Sequence, residues 1–170
     1  IAEGATVITT QSNREVVDAM AAAPQLDRLA QNPRKPEFLF IERGKRVLTD
    51  GTRTLQLIDV GPNPHAREMV IAYLPKERVL FSASAFVSGQ VNIFRPFVNI
   101  SDILAAGKMM KSLNPEHVIP GHGPPTTTKL FDDGEKYYAL LAERVAAKVK
   151  EGKSLDDITK EVKTVSYTHL

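Results

Sequence analysis

Between residues 45 and 82 the chain reads as four short apolar strands separated by turn residues, with helical spacing on both sides of that run. Residues 45–49 and 52–60 meet at Asp50-Gly51, a dipeptide suited to a tight hairpin. Residues 69–74 and 78–82 form a second pair about Pro75-Lys76-Glu77. Ahead of them, residues 4–10 (GATVITT) read as a buried strand. Ser12 and Glu15 then have capping-box spacing for a helix that carries Val16, Val17 and Met20 and ends near Ala22. Residues 24–36, polar and Pro-containing, read as a surface loop. After the strands, Ser101 can cap a helix with Ile103, Ala106, Met110 and Leu113 on one face. A short strand at 117–119 follows, then a Gly/Pro loop at 120–125. Tyr137, Tyr138, Leu141, Val145 and Val149 mark a long amphipathic helix. Ser154 and Asp157 open a last helix with Leu155, Ile158 and Val162 predicted inward. This order predicts an α+β fold, a mixed sheet with covering helices. It excludes a Rossmann domain, because no Gly-x-Gly-x-x-Gly follows a strand.

Composition narrows the function classes. A 42% hydrophobic share supports a core, and 25% charged residues argue against disorder. With 22 basic against 20 acidic residues, nothing points to a nucleic-acid or membrane partner. The absence of cysteine excludes disulfides and thiolate metal ligands and leaves the compartment open. No apolar run reaches the ~18 residues that span a bilayer. The chain starts at Ile1 without a signal peptide, so the expectation is a processed precursor or a piece of something larger. Residues 165–170 (VSYTHL) fit no structural pattern and read as a non-native tail. That sets His169 aside and leaves one domain over residues 1–164.

Two of the four histidines sit in unusual settings. His65 lies in Gly-Pro-Asn-Pro-His directly after the strand ending in Asp59-Val60, and His122 lies in Pro-Gly-His-Gly-Pro directly after a short strand. Stiff Gly/Pro turns at strand ends can hold an imidazole without an ordering cost on each binding event. Neutral imidazole is also the commonest metal-binding side chain. The plain alternative is a pair of solvated loop histidines. Two histidines alone do not make a zinc site, which takes three or four protein ligands. His117, just before an apolar strand, reads as structural.

Several segments, in matching order, resemble the metallo-β-lactamase superfamily. Residues 3–8 (EGATVI) resemble the strand that follows the family's His-x-His-x-Asp-His motif. Residues 57–65 resemble the strand and loop with the next metal-binding histidine, residues 73–81 (YLPKERVLF) the stretch before the Gly-Asp motif, and residues 119–124 (IPGHGP) the loop with the last metal-binding histidine. The likeness runs from about Glu3 to Lys150. It implies an αββα sandwich, here an incomplete one, with a site along one edge of the two sheets. It further implies one or two metals, usually zinc, with His65 on the first and His122 on the second. A metal-activated water would then attack a small-molecule ester, lactam, thioester or phosphoester.

Two departures follow from the same comparison. The His-x-His-x-Asp-His motif is absent, so binding of zinc by this chain is expected to be weak or absent. Ser84 stands where the family has a bridging aspartate, and a hydroxyl supplies neither the charge nor the second oxygen of a carboxylate. The readings are therefore part of a metal-dependent hydrolase, inactive alone, or a non-catalytic binding or scaffold member of the fold. A third is an unrelated α+β binding domain. Arg95, in a loop with Phe86, Phe94 and Phe97, either faces an anionic substrate beside an apolar pocket or lies in solvent on a packed connecting loop. Under-covered apolar faces at Val7, Ile8, Leu57 and Val79 predict marginal folding and self-association.

Overall fold

The computed structural model describes residues 1–24, 28–31, 34–41, 44–62, 68–86 and 100–162. The predicted tail, His65 and Arg95 lie outside them. Five strands form one mixed sheet: β3 (Lys45–Thr49), β4 (Thr54–Asp59), β5 (Val70–Leu74), β6 (Val79–Ala83) and β7 (His117–Pro120), in that spatial order. Pairing is antiparallel from β3 to β6, and β6 pairs with β7 in parallel. The two hairpins fall where the turn residues predict them. The β3–β4 turn carries Gly51 at φ +87°, a left-handed conformation that glycine adopts without steric cost. A parallel pair cannot be joined by a hairpin. The connection from β6 to β7 accordingly includes α3 (Ile100–Ser112).

One sheet face is packed by α3 and by α4 (Lys129–Lys150). Alternation along the strands sends Ile58, Ile71, Tyr73, Leu80 and Val118 into that layer, against Ile103, Ala106 and Met110 of α3 and Phe131 and Tyr138 of α4. Burial pushes the Tyr138 hydroxyl up to about 12. Phe86, read either as a pocket wall or as part of a packed connecting loop, is a core residue. Its ring meets Phe131 edge-on at 5.2 Å and fills the space over Gly107 and Gly134. A Cβ on either glycine would come within 2.9 Å of that ring. The Tyr73 hydroxyl ties the sheet to the end of α3, donating to the Leu113 carbonyl at 2.6 Å, and Lys111 paired with Asp132 ties α3 to α4.

A smaller parallel sheet holds β1 (Thr6–Thr10) and β2 (Glu37–Ile41), joined through α1 (Arg14–Ala22) and a short α2 (Arg28–Gln31). Both α2, inside the predicted loop, and β2 are elements that periodicity does not single out. Ile41 and Thr10 are buried, and Arg46 on β3 donates to the Phe40 carbonyl at 3.4 Å, which joins the two sheets. The helix α5 (Leu155–Glu161) has its predicted cap, with the Asp157 amide donating to the Ser154 hydroxyl at 3.2 Å. Its orientation differs from expectation: Ile158 is buried, but Leu155 is 75% exposed. Val7, Ile8, Leu57 and Val79 are half-buried. Phe81 and Ile119, register partners on the face turned from α3 and α4, are 44% and 40% exposed. Among the described residues no helix is long and apolar enough to cross a membrane.

Among the described residues two buried side-chain polar atoms lack a partner, Arg46 Nε and the Ser82 hydroxyl. The Ser82 side chain is fully buried and its hydroxyl has no hydrogen-bond partner. An unpaired hydroxyl in an apolar layer costs its desolvation without return. Ser82→Ala should therefore leave the fold intact and raise stability by about 1 kcal/mol in urea unfolding. A loss of stability of that size would mean the hydroxyl is paired.

Candidate functional site

Strand directions decide which chain segments can meet. Because β4 and β6 both run antiparallel to β5, and β7 runs with β6, the carboxyl ends of β4, β6 and β7 share one sheet edge. Asp59, Ser84 and His122 stand at or just beyond those ends.

At β6 the ladder is irregular between Phe81 and Ala83, and Ala83 takes φ +49°, a left-handed conformation costly for a residue with a Cβ. The bend sends Ser84 out over the edge. Phe86, locked between α3 and α4, anchors the chain two residues later. The amide of Gly121 donates to the Ala83 carbonyl at 2.7 Å. A Cβ on Gly121 would lie 2.8 Å from the Ala83 carbonyl carbon and 3.0 Å from the Ser84 hydroxyl oxygen. Only glycine permits that approach, so Gly121 is what lets the β7 end close on the β6 end. The loop bearing His122 is pinned at its other side as well. Val118 and Thr126 exchange both backbone hydrogen bonds, at 2.9 and 2.8 Å, closing residues 119–125 into a tight return. His122 is exposed at its tip. The stiffness inferred from its Gly/Pro content thus has a backbone origin.

The structure brings Ser84 and the His122 loop together. His65 and Arg95 lie outside the described residues, but both necks of the connection that carries His65 are visible. The Asp59 carboxylate accepts from the Gly61 amide at 2.9 Å and the Met69 amide at 3.3 Å, and the Val60 amide donates to the Met69 carbonyl at 2.9 Å. On the far neck, Glu68 accepts a hydrogen bond from the Ser12 hydroxyl. Thr10, 4% exposed, lies 3.3 Å from Ser12, and Asn13 donates to Thr9 and Thr10 at 2.9 and 3.0 Å. Hydrogen bonds from Ser12 and then Thr10 hold the Glu68 carboxyl below its ordinary value of 4.5. That contribution to stability is present above the ordinary value and is lost as pH falls through the lowered one. Sequence reasoning missed this cluster. It assigned Ser12 to a local cap, whereas Asn13 occupies the α1 cap position, with no side-chain cap bond, and Ser12 turns to Glu68.

No protein-family profile matches the chain. The chain is 27% identical over 122 residues to the Beta-lactamase-like protein 2 homolog of Caenorhabditis elegans, a match covering 72% of this chain and 39% of that protein. A metallo-beta-lactamase from Pontibacter korlensis superposes with a TM-score of 0.60 at 17% identity, over 81% of this chain and 59% of that one. The stereoselective inverting sec-alkylsulfatase Pisa1 from Pseudomonas sp. superposes with a TM-score of 0.59 at 17% identity, over 75% of this chain and 22% of that one. The architecture is thus α+β, of the class built from a mixed sheet with helices packed on it. More narrowly, it is the fold of the metallo-β-lactamase superfamily, present over part of its length. The chain spans about two fifths of its curated relative and under three fifths of the metallo-beta-lactamase.

The described donors at this edge do not by themselves fit a metal. Among the described residues no three histidine or carboxylate side chains come together. Ser84 offers a neutral hydroxyl set against the Gly121 backbone, and His122 offers one imidazole. Zinc takes three or four protein ligands.

If the Gly121 approach locates this edge, Gly121→Ala should destabilise the chain by about 1–3 kcal/mol, the cost of overpacking against a backbone that cannot give way. It should also move the His122 ring signals in NMR. Unchanged stability and unchanged His122 signals would show that the two strand ends are not in contact.

Proposed function

We propose that this chain is part of a metal-dependent hydrolase with the metallo-β-lactamase fold, zinc being the metal and a small-molecule ester, lactam, thioester or phosphoester the substrate. Its own share of the site is His65, His122 and Ser84. By itself it holds metal weakly or not at all and does not hydrolyse. The observation that carries this reading is the common edge: the end of β6 and the His122 loop are in contact, and the strand leading to His65 ends on the same side. Partial coverage of the similar proteins supports a site completed by residues outside this chain. Self-association through the sheet face that exposes Phe81 and Ile119 belongs to the same proposal.

A second reading, a non-catalytic binding or scaffold member of the fold, is favoured by one observation. A serine stands where a charged bridging ligand would be needed. Residues upstream of Ile1 discriminate the two. An intact His-x-His-x-Asp-His there supports the hydrolase, and its loss supports the scaffold.

Metal content tests the proposal directly. The purified chain should retain only substoichiometric zinc after gel filtration, by elemental analysis. Ser84→Asp should tighten zinc binding by about tenfold, since it adds a charged ligand beside His122. Adding His122→Ala should remove that gain. Stoichiometric zinc in the unmodified chain, or a Ser84→Asp gain that survives loss of His122, would contradict the assignment.

A further inference from the structure

We infer that the open cavity between α1 and β2 binds a small, flat organic monoanion, an aryl carboxylate being the class that fits, with Arg14 and Lys35 holding the charge and Phe38 and Phe40 the ring. The site shares no residue with the edge that carries Ser84 and His122, and nothing in it depends on a metal.

The cavity holds about 500 Å³, within the range of roughly 300–1,000 Å³ typical of small-molecule sites. Its floor is aromatic. Phe38 and Phe40 stand two residues apart on β2, so both rings lie on one face of the small sheet, and both are half-buried. α1 lines the gap with Arg14, Asp18 and Ala21, whose spacing puts them on one helical stripe. Its larger apolar residues are turned away from the gap: Val16 is 57% and Met20 64% exposed. A helix that merely packed on the two rings would turn those residues toward them. Here short and charged side chains face the rings, and the gap stays open.

The charge of the lining selects the charge of the ligand. Arg14 sits over the Phe40 ring, its guanidinium carbon 4.0 Å from the ring centre. Stacking uses the face of the guanidinium, whereas its N–H donors lie in the plane, so they are left for a planar acceptor such as a carboxylate. Lys35, just ahead of β2, adds a second cation. Among the described residues no ion pair joins Arg14 or Lys35 to a carboxylate. Of the described lining residues only Asp18 is acidic. Two cations against one carboxylate suit a single negative charge better than a dianion such as phosphate. A flat apolar group laid on Phe38 and Phe40 gains from burial and from aromatic packing.

The test is an amide NMR titration of the full 170-residue chain with naphthoate, and with naphthalenemethanol as its neutral counterpart. Naphthoate should shift the Asp18, Ala21, Phe38 and Phe40 amides saturably, and the alcohol should bind at least about fivefold more weakly. Arg14→Gln and Lys35→Gln should each weaken naphthoate binding about fivefold, the size of a partly exposed charge-assisted contact, and leave the alcohol unchanged. Phe40→Leu should weaken both ligands. Phe81→Ser, on the large sheet, should weaken neither. Arg14 and Lys35 are exposed, so their variants carry the comparison if Phe40→Leu does not fold. No saturable shift at millimolar naphthoate, equal binding of the alcohol, or binding lost in Phe81→Ser would each overturn the proposal. Shifts of the same amides on raising the protein concentration alone would also overturn it, by placing a second copy of the chain in the cavity.

Discussion

The parallel pairing of β6 with β7 is the constraint on which the site depends. Two strands that pair antiparallel send their ends to opposite edges, whereas a parallel pair sends both carboxyl ends to one edge. Here that edge receives Ser84 from one strand and His122 from the other, although they lie far apart in sequence. The pair closes tightly because position 121 lacks a side chain and its amide reaches the Ala83 carbonyl at 2.7 Å. The crossover that parallel pairing demands includes α3, and α3 with α4 supplies the layer that buries Leu80 and Val118 from behind. The same packing therefore stabilises the sheet and aims its edge.

How much of this was legible in the sequence follows from the range of each interaction. The two hairpins could be read because Asp50-Gly51 and Pro75-Lys76-Glu77 are local turn signals. The last helix could be located because Ser154 meets the amide of Asp157 within one turn. β2 could not, since its partner β1 lies across α1 and α2 and a parallel pair has no turn signature. α4 starts at Lys129, well before the apolar stripe that announces it. Ser12 was misread for a physical reason. A hydroxyl near a helix start has the same appearance in sequence whether it caps that helix or bonds a carboxylate 56 residues away. Phe86 was left between a pocket wall and a packed loop, because the gap that accepts it is made by Gly107 and Gly134 on two separate helices.

The candidate site residues divide in the same way. His122 was singled out from its own loop, which the Val118–Thr126 bridge closes. Ser84 was singled out only through resemblance, as a departure from a pattern. Asp59 and Glu68 carried no signal, because their work is to accept hydrogen bonds whose donors are chosen by the fold. Among the described residues no group of three metal-binding side chains forms, and the chain spans part of the proteins it resembles.

The central claim is that the β4–β5 connection and the β7 loop present His65 and His122 to a common point beyond Ser84. The chain has no native cysteine, so a His65→Cys, His122→Cys double variant offers two unique thiols. Two ligands of one metal, each bonded at ~2.0–2.1 Å, must be joined within a single chain by a thiol-specific cross-linker spanning about 10 Å. The account predicts efficient intramolecular cross-linking at high dilution, detected by mass spectrometry of the monomer. Cross-linking that appears only between chains, or not at all, would place the two histidines apart and contradict it.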